Sequence, residues 1–459
     1  MKRLLAALAV FAGPLVFAAT PQQTKEVDAL FAKFDKTTPG CAVGVEQGGK
    51  RVLTKAYGMA DLEFGMPITP ETIFEAGSVS KQFTAAAIAV LASQGKLSLD
   101  DDVHKFLKDL PDYGTPITLR QMLNHTSGLR EWSDIVELQG WPRTTRAISQ
   151  DYAAQAIFRQ KSLNFTPGAE YLYSNSNYVL LALVVERASG MSLEKFTRDN
   201  LFGPAGMTHT AWRGDFTRIV PGRAQAYGKG EDGAWHLDMP FENVIGHAGL
   251  LTTVGDLLRW NEALTHPPES FKGWVPRMTE GGVTNDGKPV NYALALGLGP
   301  INGDRAISHT GSTAGYRAFL GRFPEQGLSI VTLCNSATVT NGPQAAKLEA
   351  IFSTTAKPQP EPAPKEMPAT EWRPAIGQLT VYAGRYASAE VRGSFDVKIQ
   401  EGALKLISPS GRTIVLRPLT EGHFIGTDND WRVDFDPKGL ALTGDRTRNI
   451  RFDKVDKVP

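Results

Sequence analysis

Hydrophobic and polar positions alternate near both ends of the chain and fall into helical spacing between them. The run CAVGVEQGGKRVLTKAYG, from Cys41, predicts two strands around Gly48-Gly49, a dipeptide suited to a hairpin turn. Val79, Phe83, Ala86, Ala87, Val90 and Leu91 recur at helical intervals, and Gly95 supplies a stop. NSNYVLLALVVERASG predicts a second helix, ending at Gly190. From Ala314, AGYRAFLGRFPEQGLSIVTLCNS predicts two further strands around Glu325-Gln326-Gly327. The pattern predicts an α+β fold, with an antiparallel sheet drawn from both chain ends, helices packed on it and a helix-rich lobe between.

The pattern changes twice. AKPQPEPAPKEMPATEWRPA, residues 356–375, has six prolines in twenty residues and predicts a stiff, extended linker. Residues 376–459 then run as short alternating segments broken at Glu401-Gly402, Ser410-Gly411, Glu421-Gly422 and Lys438-Gly439. That spacing predicts a separate all-β domain, a small antiparallel barrel (lipocalin-like) or a sandwich, serving as a lid or docking module. At the other end, Lys2 and Arg3 precede LLAALAVFAGPLVFAA, with Ala18 and Ala19 where cleavage is expected. Residues 1–19 therefore read as a cleaved signal peptide, and residues 20–355 as the main domain. No later segment has about 18 consecutive apolar residues, so the mature chain is expected to be periplasmic or secreted, without an integral membrane segment.

Composition narrows the function. The 459 residues are 42% hydrophobic and 21% charged with a net charge of +1, ordinary for a globular protein and without the basic footprint of a nucleic-acid binder. Eight histidines without a His-x-x-x-His pair and only two cysteines argue against a metal site, and no cofactor is expected. Gly228–Gly233 fits G-x-G-x-x-G, but AWHLDMP after it opens no helix. GVTNDGKP, from Gly282, lacks the Ser/Thr of a phosphate-binding loop, and no G-x-S-x-G elbow is present.

Ser-x-x-Lys occurs three times, at Ser78/Lys81, Ser93/Lys96 and Ser192/Lys195. Tyr173-Ser174-Asn175 is the only Tyr-x-Asn, and His309-Thr310-Gly311, followed by Ser312, the only His-Thr-Gly. This order of motifs resembles the penicillin-recognising serine hydrolases, the superfamily of class C β-lactamases, DD-peptidases, D-aminopeptidases and related esterases. LNHTSGL (123–129), LFGPAGMTHT (201–210) and AGLLTTVGDLLRW (248–260) are similar to the same family. The resemblance covers about residues 25–355 and selects Ser78/Lys81, which follows the first hairpin.

The resemblance implies an acyl-enzyme on Ser78. A serine hydroxyl needs a base within reach, and residues three apart at a helix start share a face, so Lys81 can serve once its pKa is lowered. Tyr173 would share the proton relay, and which of Lys81 and Tyr173 is the formal base is left open. The family pattern implies an oxyanion hole from the N–H groups of Ser78 and Ser312. Asn175 would donate to a substrate amide or orient Lys81. Thr310 and Gly311 belong to the strand on which the substrate would lie, Gly311 letting it approach closely. His125 reads as a loop-shaping residue, and His247, Arg317 and Trp132 as candidates to line the cleft.

His309 stands where β-lactamases and most DD-peptidases carry lysine. With an ordinary histidine pKa, activity on carboxylate-bearing substrates is expected to fall more steeply from pH 6 to 8 than activity on neutral esters. The implied function is hydrolysis of amides or esters, D-amino-acid peptides or cell-wall fragments among them. The alternatives are a penicillin- or peptide-binding protein with little turnover and a class C-like β-lactamase. The family fold would also bring Cys41 and Cys334 side by side on neighbouring strands, as a disulfide or as two buried thiols.

Overall fold

The structure, a computed structural model of the chain, describes residues 18–140, 145–357, 372–427 and 431–455. Residues 1–17 of the expected signal peptide and most of the proline-rich linker lie outside the described residues.

Gly48 (φ 57°) and Gly49 (φ 71°) turn β1 (Cys41–Gln47) into β2 (Lys50–Tyr57). Both sit in the left-handed region that a two-residue hairpin loop requires. β3 (Gly297–Ile301), β4 (Asp304–Thr313), β5 (Tyr316–Phe323) and β6 (Leu328–Cys334) complete an antiparallel sheet of order β3-β4-β5-β6-β1-β2. The sheet is thus drawn from both ends of the main domain, as the alternation predicts.

Around it lie α1 (Pro21–Phe31), α2 (Lys81–Ser93), α3 (Asn175–Ser189), α4 (Val254–Thr265) and α5 (Asn341–Phe352). Successive strand residues point to opposite faces. Cys41, Val43 and Val45 pack with Phe31 of α1 and Leu348 of α5, while Ala42, Leu320 and Leu333 share the larger core with Phe83 and Leu257 of α2 and α4. α2 is buried on every side from Lys81 to Leu91, more than an amphipathic reading of its spacing predicts. It runs between the sheet and the helical lobe and so has no solvent face. α3 stops at Gly190 (φ 72°), as expected.

Cys41 and Cys334 are register partners across β1 and β6, and their sulfurs are bonded. The bridge closes a separation of 293 residues. Reduction is expected to lower stability by about 2–5 kcal/mol. Thiol titration of the denatured protein before and after reduction, with a melting curve of each form, checks both statements; equal titres would remove the bridge.

Beyond the linker, eight antiparallel strands, β7 (Gly384–Ser388), β8 (Gly393–Gln400), β9 (Ala403–Ile407), β10 (Thr413–Thr420), β11 (His423–Gly426), β12 (Arg432–Asp436), β13 (Gly439–Thr443) and β14 (Ile450–Val455), form a closed barrel. Pairing of β7 with β14 closes it, which decides between barrel and sandwich. The barrel docks on the helical lobe: Ile135 and Leu138 join its apolar cluster, and Gln139 Nε2 donates to the Val391 carbonyl at 2.8 Å. The docked face also buries an ion pair between Arg130 and Glu390 (3.1 Å), whose side chains are 1% and 7% exposed. Among the described residues no helix is long and apolar enough to cross a membrane.

Candidate active site

The turn Gly77–Ser80 leads into α2 and carries Ser78 just before the helix N-terminus, where the dipole favours negative charge. Gly77 takes φ 51°, and a Cβ there would lie 2.6 Å from the Ser312 nitrogen. A Cβ on Gly311 would lie 2.0 Å from the Ala76 carbonyl oxygen and 3.2 Å from the Ser78 nitrogen. The two glycines let β4 press its backbone against the nucleophile turn. Gly311, expected to admit substrate, also admits the Ala76–Ser78 backbone.

Lys81 Nζ lies 3.0 Å from Ser78 Oγ, 2.7 Å from Asn175 Oδ1 and 2.8 Å from the His247 carbonyl oxygen. Two of these three neighbours can only accept. A neutral amine donates its two N–H bonds to them and keeps its lone pair for the Ser78 hydroxyl. Lys81 is fully buried, and that burial holds its pKa well below the usual lysine range.

Asn175 opens α3, and its amide is oriented by Glu131. Glu131 Oε2 accepts from the Asn175 backbone N–H at 2.5 Å, and Oε1 from Asn175 Nδ2 at 3.1 Å. Of the two roles expected for Asn175, the geometry favours orienting Lys81, since its donor is already engaged. Tyr173 stands beside Ser78, its ring 4.9 Å from Lys81 Nζ and 4.2 Å from the His125 ring. Burial raises the Tyr173 pKa far above the usual phenol range, and the neighbouring Ser78 hydroxyl works against that rise. His125 takes φ 58° and accepts the Ser174 N–H at 3.1 Å, in keeping with a loop-shaping part.

His309 departs from its expected chemistry. It is 8% exposed, and burial, with Lys81 nearby, lowers its pKa to about 4. Nδ1 faces the Thr310 carbonyl and must donate, so Nε2 of the neutral ring accepts from the Tyr292 hydroxyl at 2.9 Å. The expected fall in activity between pH 6 and 8 therefore loses its basis, because His309 is already uncharged there. Thr310 and Ser312 are exposed on β4. Arg317 turns its guanidinium onto the carbonyls of Ala314, Tyr316 and Ala337. Trp132 packs edge-on against His247 at 5.4 Å and lines the adjoining cavity.

The other two Ser-x-x-Lys matches serve local structure. Ser93 Oγ donates to the Val90 carbonyl at 2.7 Å, and Ser192 caps a short helix by accepting from the Lys195 N–H at 3.2 Å. Sequence reasoning missed Glu131, Tyr292 and the His247 carbonyl. Two are polar side chains outside any motif and the third is backbone. Among the described residues no group of three or more His, Cys, Asp or Glu side chains is placed to hold a metal ion.

Comparison with known proteins places this arrangement. The chain is 29% identical over 358 residues to penicillin-binding protein 4* of Bacillus subtilis (strain 168), covering 74% of this chain and 77% of that protein. It is 29% identical over 309 residues to protein flp of Staphylococcus aureus (strain MRSA252), covering 65% of this chain and 59% of flp. The fold is similar to that of the octameric penicillin-binding protein homologue from Pyrococcus abyssi (TM-score 0.63, 24% identity, 94% of this chain and 99% of that one). It is also similar to that of the D-amino acid amidase from Ochrobactrum anthropi SV3 (TM-score 0.58, 20% identity, 72% of this chain and 98% of that one). Residues 27–353 match the family model described as Beta-lactamase, and the chain belongs to that family, as a serine hydrolase that works through an acyl-enzyme.

Proposed function

We propose that this chain is an exported hydrolase that acylates Ser78 and cleaves amide or ester bonds of substrates that need no carboxylate for recognition, D-aminoacyl amides and short esters first among them. The observation that carries the reading is the triple contact of Lys81 Nζ with Ser78 Oγ, Asn175 Oδ1 and the His247 carbonyl. Lys81 is the base that takes the Ser78 proton as the hydroxyl attacks the substrate carbonyl. The oxyanion forms on the N–H groups of Ser78 and Ser312. Tyr173, kept as a neutral phenol by burial, passes a proton to the leaving group and helps activate the deacylating water.

The preference for neutral substrates rests on His309, which offers no cation and directs both ring nitrogens to the protein. A cavity of about 920 Å³ supports an apolar acyl group: Trp132, Val136, Ile148 and Phe241 line it together with Thr313 and Ala314, which follow Ser312. Its Arg412 is paired with Glu137 at 2.6 Å, and its Arg146 lies over the Tyr152 ring at 4.3 Å. Export of the chain, with residues 1–19 removed, is supported by the Cys41–Cys334 bond, since disulfides persist in oxidising compartments. We take residues 20–355 as the hydrolase domain, 356–375 as linker and 376–459 as the barrel domain.

A panel of a cephalosporin, a D-Ala-D-Ala peptide, a D-amino-acid amide and a short-chain ester, run at pH 6 and pH 8 with mass spectrometry of Ser78, tests the reading. The amide and ester are expected to turn over fastest, and the ratio of carboxylate-bearing to neutral rates is expected to be the same at both pH values. Faster turnover of the cephalosporin or the D-Ala-D-Ala peptide would overturn the preference. One equivalent released without further turnover would favour a binding protein instead.

A further inference from the structure

We infer that Arg446, carried by the barrel, is a positioning residue for the hydrolase reaction, because it reaches across the domain interface to the buried Glu131 that orients Asn175 against Lys81. The inference rests on the reading of Lys81 as base. Glu131 is 0% exposed and is held in the lobe by Asn175 and by the Ser133 hydroxyl, which donates to Oε1 at 2.8 Å. Among the described residues no lysine or arginine of residues 20–355 lies within ion-pair distance of it. Arg446 comes from the turn between β13 and β14, with Nη1 3.7 Å from Glu131 Oε2 and Nη2 3.7 Å from Asp134 Oδ1. The neighbouring Thr447 is fully buried and its Oγ accepts the Glu131 backbone N–H at 3.1 Å. Two residues further on, the Asn449 carbonyl accepts from Arg130 at 2.9 Å. The turn is therefore anchored at two points just after Arg446.

The charges around Lys81 explain why this matters. Ser78, Asn175 and the His247 carbonyl touch its amine, and the Tyr173 and Tyr178 rings lie 4.9 and 5.6 Å from it. His125, His247 and His309 are buried and held neutral. Asp134, pushed up to about 7 by burial and by Glu131, faces Arg446 as well. Burial and Arg446 favour the neutral amine of Lys81, and Glu131 opposes them. A buried carboxylate without its cation stabilises the nearest ammonium. Without Arg446, that ammonium is Lys81, and a protonated lysine donates to Ser78 where it should accept.

The test is the pH profile of kcat/KM for a chromogenic short-chain ester, measured on the full chain. Arg446→Gln is expected to move the acid limb up by about one pH unit and to lower kcat/KM on that limb about tenfold. Arg446→Lys should restore most of both. In a Glu131→Gln background, Arg446→Gln should move the limb no further. Arg448→Ala, which removes a pairing with Glu170 (3.0 Å) in the same turn, should leave the profile unchanged. Arg446→Cys supplies a second measurement on protein that is already folded, because the two native cysteines are bonded to each other. A cationic aminoethyl thiol reagent should return the limb, and a neutral methyl reagent should not. An unmoved limb in Arg446→Gln, an equal shift in the Glu131→Gln background, or equal rescue by both reagents would overturn the inference. Failure of the wild type to acylate at Ser78 would instead strike the reading it rests on.

Discussion

Replacing Ser78 by alanine is expected to abolish acylation and to lower kcat/KM for any hydrolysed ester by at least about 10,000-fold. Ser78 Oγ is the side-chain oxygen that Lys81 holds at 3.0 Å, on the turn that leads into α2. Ser80, its nearest alternative, has its hydroxyl engaged by the Leu250 N–H at 3.1 Å and is fully buried. The side chain lost is small and partly exposed, so the melting temperature should hardly move. Intact-mass spectrometry after exposure to the ester gives the answer directly. A variant that still gains the acyl mass, or retains activity within tenfold of wild type, would place the nucleophile elsewhere.

Lys81→Met should cost about 1,000-fold in kcat/KM, within the range expected for a lost general base, and should remove the acid limb of the pH profile. Activity of the wild type should rise with pH through the depressed Lys81 pKa and then level, because only the neutral amine can accept the Ser78 proton. Methionine fills the same space without an N–H. It leaves Asn175 Oδ1 and the His247 carbonyl without their donor, at a cost of about 1–3 kcal/mol. Lys81→Arg separates the two effects, since it keeps donors but cannot deprotonate, and should be as inactive as the methionine variant. Near wild-type activity in either variant would transfer the base to Tyr173.

Chain order carried part of this site plainly and hid the rest. Ser78, Lys81, Tyr173 and Asn175 could be singled out because the order of motifs resembles that of a known family, although Ser-x-x-Lys alone matched a helix end and a cap as readily. The alternation of β1, β2, β5 and β6 marked the sheet because one residue in two meets each core. The state of His309 could not be read, since it depends on burial and on Tyr292, 17 positions away. Glu131 and Arg446 are 315 residues apart and meet only through docking of the barrel. The barrel was legible from the turn spacing of residues 376–459, although β7 and β14 bear the same alternation whether or not they pair. Gly311 was legible as a site of close approach, and its contact with the Ala76–Ser78 turn could not be read from the sequence.

The placement of β1 between β2 and β6 also sets the order in which this molecule matures. A nascent chain makes the β1–β2 hairpin early, but its other edge stays open until residues near Cys334 arrive, 293 positions later. β4, which delivers the Ser312 N–H to Ser78, comes equally late. On the proposed mechanism, a partly synthesised chain is expected to hold Ser78 without the Ser312 N–H, and hydrolysis to await closure of the final strands of the sheet.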